Sequence, residues 1–231
     1  MPFYYYFDPT MLIVLPAILL AFYAQAKVKS AYAAGDRVRT SYGMTGYEAA
    51  RRILDANGLR HVRIEQIPGE LTDHFDPRAN VIRLSAKVYN SNTASAVGVA
   101  AHEAGHAVQY AQNYAPIKMR AAIIPVCNFG SMLAMPLFIV GLFLVFEPLM
   151  WLGIIAYSLT ALFQLITLPV EFNASRRAMA ILSDSGQFTD DQLRASRHVL
   201  SAAALTYVAA MASALLSLLR LVLIANRNSR D

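Results

Sequence analysis

"AAIIPVCNFGSMLAMPLFIVGLFLVF" occupies residues 121–146, and "PLMWLGIIAYSLTALFQLITLPV" follows almost at once at 148–170. Between them stands one charged residue, Glu147. A helix needs about 20 consecutive apolar residues to cross the hydrocarbon of a bilayer, and both runs exceed that. Two more apolar runs flank the chain: "PTMLIVLPAILLAFYAQA" at 9–26 and "VLSAAALTYVAAMASALLSLLRLVLIA" at 199–225. The first of these is marginal in length. The aromatic residues Phe3–Phe7 before it and Lys27 and Lys29 after it supply the interfacial anchors expected of a span. "AQA" at 24–26 resembles a signal-peptide cleavage site, but no Lys or Arg precedes the apolar run. The segment is therefore read as a retained anchor.

Composition agrees. Of 231 residues, 56% are hydrophobic and 15% charged, and the mean hydropathy is +0.39. An ordinary soluble domain is more polar than this. The net charge of +5 would suggest nucleic acid for a soluble protein. Here the basic residues concentrate in 27–120 and in 172–198, as expected of the cytoplasmic parts of a membrane protein, so no nucleic-acid partner is expected. The positive-inside rule puts the N-terminus and "NRNSRD" outside and both polar segments in the cytoplasm. The single cysteine, Cys127, excludes an internal disulfide and a cysteine-built metal site, and reads as a small packing residue.

The expected fold is a mainly α integral membrane protein with about four transmembrane helices and a small α+β cytoplasmic, zincin-like catalytic unit. The unit occupies 27–120, and 171–198 adds a cytoplasmic helical segment. Within it "TGYEAARRILDANG" is a helix that Thr45 and Glu48 open with capping-box spacing and Asn57-Gly58 ends. "HVRIEQI" alternates as a strand, and "LTDHFDPRANVIRLS" reads as two strands around an Asp76-Pro77 turn. Asn92 and Thr93 are placed to cap a helix over about 94–112, and Pro116 lies just past its end.

That helix carries "VAAHEAGHAVQ" at 99–109. His102 and His106, four apart, share one helix face, and both imidazoles can reach one metal ion. Neutral imidazole suits Zn²⁺. Glu103, about 100° around the helix, is poorly placed as a ligand but well placed to take a proton from a water at the metal. A bare HExxH match is weak, and two solvated histidines are the bland alternative. The surrounding residues are small and apolar, and burying such a polar trio without a partner is costly. A catalytic zinc usually takes a third protein ligand. Glu171 is favoured, because it ends an apolar run with no basic residue before Arg176. Glu147, His74, Asp73, Asp76 and His198 are the alternatives.

"DHFDPRANVIRLS", "AVGVAAHEAGHAVQYAQ", "LPVEFNASRRA" and "SAAALTYVAA", in that order, resemble the blocks of the YugP-like neutral zinc metallopeptidases, distantly similar to HtpX-like membrane gluzincins. The resemblance spans nearly the whole chain. It implies a zinc peptidase with His102, His106 and Glu171 as ligands, Glu103 as general base and "NVIRLS" as an edge strand for a substrate peptide. The broader group has Asp four residues after the ligand Glu, whereas this chain has Ser175, with Asn173 nearby. Either could supply a weaker hydrogen bond to a zinc histidine. Tyr207, His74, Arg176 and Arg177 are candidates to stabilise an oxyanion.

The function expected is a membrane-bound zinc endopeptidase, acting at the cytoplasmic face of a bacterial-type inner membrane on membrane-associated or misfolded proteins. The other classes weighed are a scaffold or chaperone-like protein with a structural zinc, and a transporter with a histidine relay. The first would not require Glu103, and the second would place its histidines inside spans. The oligomeric state is not legible.

Overall fold

A computed structural model describes residues 8–228. The aromatic run Phe3–Phe7 and the last three residues of the tail lie outside the described residues. The elements in chain order are α1 (Met11–Gly35), α2 (Gly46–Ala56), β1 (Arg63–Ile67), β2 (His74–Asp76), β3 (Val81–Ser85), α3 (Ala86–Asn90), α4 (Ala94–Ala111), α5 (Ala115–Phe143), α6 (Glu147–Asp184) and α7 (Asp190–Asn228). The fold is mainly helical, with one small three-stranded sheet.

Four helices, α1, α5, α6 and α7, are long and apolar enough to cross a membrane. They continue past the expected span limits. α1 runs to Gly35, and α6 passes through Pro169 and Glu171 to Asp184 without a break. The segment 171–198 is thus the end of α6, a turn and the start of α7. Pro116 lies in the first turn of α5, where its missing N–H leaves no hydrogen bond unmade.

The chain divides into two compact units. One comprises Met1–Ala24, Met119–Leu168 and Thr206–Asp231. In it α5 and α6 form a hairpin whose connection includes Val145 in the left-handed region (φ 52°). A Cβ on Gly153 would stand 2.7 Å from the Phe138 nitrogen, and one on Gly141 2.6 Å from the Met150 nitrogen. Small residues let membrane helices approach backbone to backbone. Phe138, Met150, Ile154, Leu221 and Ala225 form the core of this unit. Leu19, Phe22, Phe129, Met132 and Leu165 remain exposed, as lipid-facing side chains do. Arg220 on α7 pairs with Asp8 at 3.0 Å, ahead of α1.

The other unit comprises Gln25–Lys118 and Pro169–Leu205. Its core centres on Ile53, Leu54, Ile82, Leu84, Val88, Val97 and Val108. The capping box at α2 forms as the sequence indicates. The Glu48 N–H donates to Thr45 Oγ1 at 3.2 Å, and the Thr45 N–H donates to Glu48 Oε2 at 2.8 Å. Asp76 Oδ1 accepts from the Arg78 and Ala79 N–H groups and shapes the β2–β3 turn.

The strand order is β1-β3-β2, with β1 parallel and β2 antiparallel to β3. "NVIRLS" therefore supplies the central strand, hydrogen-bonded on both sides, and the edge-strand expectation for it is corrected. The reason lies in burial: Val81, Ile82, Leu84 and Ser85 are all buried, a pattern that suits a strand covered by neighbours. The free edges belong to β1 and to the three-residue β2.

Replacing the α2 cap, Thr45→Ala, should destabilise the protein by about 1 kcal/mol. Thermal melting in detergent should show a lower midpoint for Thr45→Ala and a near-native one for Thr45→Ser.

Candidate metal centre

α4 is made thin on purpose of packing. Thr93 caps it by accepting from the Ala96 N–H at 3.3 Å, as expected, while Asn92 instead accepts from Arg39. Ala94, Ala96, Gly98, Ala100, Ala101, Ala104, Gly105 and Ala107 are all buried. Small side chains on most faces let neighbouring elements surround the helix. The tightest approach falls at Gly105, where a Cβ would lie 2.7 Å from the Ala174 carbonyl oxygen of α6. That contact brings the next turn of α6 down to the histidines.

His102, His106 and Glu171 meet there. The two Nε2 atoms lie 3.2 and 3.4 Å from Glu171 Oε2. Among the described residues these three form the one His/Cys/Asp/Glu group able to hold a metal ion, with donor atoms all within 4.8 Å of one another. Zinc bonds of about 2.0–2.1 Å in a tetrahedron set ligand atoms roughly 3.3 Å apart, which both histidine–carboxylate separations match. Glu171 is 3% exposed. A carboxylate buried so deeply needs positive charge or hydrogen-bond donors beside it. Two nitrogens and one oxygen, with no sulfur, suit zinc.

The far side of each imidazole is also engaged. His102 Nδ1 lies 3.0 Å from Ser175 Oγ, and His106 Nδ1 lies 3.0 Å from Gln109 Oε1. Such contacts orient metal-binding histidines. Burial pushes the His106 imidazole toward its neutral form. The hydrogen bond to Glu171 and the charges of Glu103 and Glu171 oppose this and prevail, raising its pKa above the ordinary value.

Glu103 is 8% exposed and makes no hydrogen bond or ion pair with any described residue. Its charge acts on the His106 imidazole beside it, and its oxygens are not among the closed-off, unsatisfied atoms of the described residues.

The remaining candidates lie elsewhere. Asp73 accepts from the Ser85 N–H at 2.7 Å, and burial raises its carboxyl pKa against that hydrogen bond. Asp76 pairs with Arg83 at 2.9 Å, which holds its carboxyl below the usual range. His74 Nδ1 lies 2.8 Å from the Thr72 carbonyl oxygen. Glu147 accepts from Trp151 at the start of α6, and His198 is exposed on α7. Arg177 donates to Asn173 and to Gln112. Arg176 lines an open groove with Phe172 and Arg197, and Tyr207 lies on α7. Asn173 touches neither histidine; it accepts from Gln109. Sequence reasoning passed over Gln109, although its i, i+3 spacing from His106 was a usable signal.

The site thus joins a helix-borne His-Glu-x-x-His sequence to a buried glutamate from another helix, a set that could hold a metal ion. Residues 10–226 match the family described as "Putative neutral zinc metallopeptidase", and the chain belongs to that family. It is 48% identical over 219 residues, 95% of this chain and 97% of its relative, to the "Putative membrane protease YugP" of Bacillus subtilis (strain 168). No solved structure matches the chain significantly. Family membership makes zinc the cofactor and protein the substrate class, and four apolar helices make a bilayer the surroundings.

The packing account is tested by Gly105→Ala. The added methyl would press on the Ala174 carbonyl and push α4 from α6, a change that typically costs about 1–3 kcal/mol. Melting should show the loss of stability, and chelator competition should show zinc bound at least about tenfold more weakly.

Proposed function

We propose that this chain is an integral-membrane zinc endopeptidase of the gluzincin type, in which His102, His106 and Glu171 hold the metal and Glu103 is the general base. The observation that carries this reading is the convergence of three donors from two helices beside Glu103, which lies next to His102 in sequence and makes no hydrogen bond or ion pair with a described residue. Bound there, zinc would acidify a water and polarise the scissile carbonyl. Glu103 takes the proton of the attacking water on a carboxylate oxygen and returns it to the departing amine nitrogen as the C–N bond breaks. The products are a free carboxylate and a free amine. Ser175 and Gln109 keep the two imidazoles in place through their Nδ1 atoms.

The proposed spans are 9–26, 121–146, 148–170 and 199–225, with 27–120 and 171–198 in the cytoplasm. The Asp8–Arg220 pair fits the count of four spans, because an even number returns both chain ends to one side. Membrane-associated or misfolded proteins at the cytoplasmic face are the proposed substrates.

The test uses detergent-purified wild type, Glu103→Gln and Glu171→Ala, measuring zinc per chain and casein cleavage on the same samples. Wild type should hold one zinc and cleave. Glu103→Gln should hold zinc and cleave at least about 100-fold more slowly, in keeping with the loss of a general base. Glu171→Ala should lose zinc. A Glu103→Gln protein that cleaves like wild type would exclude Glu103 as the base, and full zinc in Glu171→Ala would exclude it as a ligand.

A further inference from the structure

Gln109 is fully buried on α4, three residues after His106. A buried amide has to match two donor hydrogens and an acceptor oxygen to its surroundings. The Gln109 Nε2 donates to the Val170 carbonyl at 2.8 Å and to Asn173 Oδ1 at 2.9 Å. The first partner is a carbonyl oxygen, which only accepts. The second is identified independently: Arg177 Nε donates to the same Asn173 atom at 2.6 Å, and a guanidinium offers only donors, so that atom is the oxygen. Arg177 is itself held by Gln112 and lies 5.8 Å from the centre of the Tyr114 ring.

Two acceptors thus fix which end of the Gln109 amide faces α6. Turning the amide over would set its oxygen against both of them and its NH₂ against the imidazole. The Oε1 atom is left 3.0 Å from His106 Nδ1, and it accepts only, so the hydrogen between them belongs to Nδ1. Nε2, which faces the acceptor Glu171 Oε2 at 3.4 Å, is then the nitrogen left to give up its hydrogen when a metal is bound.

We propose that Gln109 is a positioning residue that holds His106 as the Nδ1–H tautomer with Nε2 presented to the metal, and that Asn173 and Arg177 lock its amide in that orientation. The inference rests on the zinc-site reading above. It differs in kind from the contact at His102, where a hydroxyl can donate or accept and imposes no tautomer. A lock of this kind keeps one of the two metal histidines from sampling the wrong nitrogen.

The test combines nitrogen NMR of the five histidines in zinc-loaded wild type with zinc dissociation constants from chelator competition for wild type, Gln109→Leu and Asn173→Asp. The His106 signal should show a protected Nδ1–H and a metal-bound Nε2. Gln109→Leu, which keeps the bulk and loses the acceptor, should bind zinc about 10- to 100-fold more weakly. Melting in EDTA separates this from loss of fold. Asn173→Asp preserves the acceptor and should stay within about threefold of wild type. Binding through His106 Nδ1, a folded Gln109→Leu with wild-type affinity, or a tenfold loss in Asn173→Asp would each overturn the inference. Should Gln109→Leu not fold, the wild-type spectrum decides. Should wild type bind no zinc, the zinc-site reading falls, while a hydrogen on His106 Nδ1 in the metal-free protein would still support the amide orientation and a bare Nδ1 would overturn it.

Discussion

The burial of one carboxylate organises this protein. Glu171 is almost wholly out of water, on a helix that arrives from a long apolar run. An ionised group in that position is tolerated only with donors or cations against it. The chain brings two imidazole nitrogens to the same oxygen. Everything around the centre serves that meeting: the small residues of α4, the missing side chain at Gly105, and the hydrogen bonds that keep each imidazole turned the right way. Beside the same cluster Glu103 makes no hydrogen bond or ion pair with a described residue, and only its charge reaches His106.

One helix carries both an apolar run and a residue of the candidate site. Glu171 and Ser175 sit one turn apart on α6, which is unbroken from Glu147 to Asp184. No loop intervenes between the apolar part of the helix and Glu171. Helices position side chains more firmly than loops do, and all three residues of the candidate centre come from helices. The sheet contributes differently. Its central strand is buried core, and it supports α4 without supplying a ligand.

Much of this was legible in the chain. The i, i+4 histidines were readable because helix geometry alone puts them on one face. Glu171 was readable because a carboxylate ending an apolar run has few affordable environments. The α2 capping box and the Asp76 turn were readable because their chemistry is local. What escaped has physical causes too. A helical segment after 170 was expected, but the apolar signal fades there, and the sequence did not show that the helix continues α6 without a break to Asp184. The central place of β3 depends on pairing between distant segments, which a strand's own residues do not specify. Gln109 escaped because an amide's orientation is set by what surrounds it, here Val170, Asn173 and Arg177 from another helix.

The central claim is that one zinc ion is held by His102, His106 and Glu171. X-ray absorption at the zinc edge of the purified protein measures this most directly, since it reports ligand type and distance with no substrate required. The account predicts nitrogen and oxygen neighbours only, at about 2.0–2.1 Å, with the scattering signature of two imidazoles, and loss of that signal in Glu171→Ala. A sulfur neighbour, a single imidazole, or an unchanged zinc shell in Glu171→Ala would contradict it.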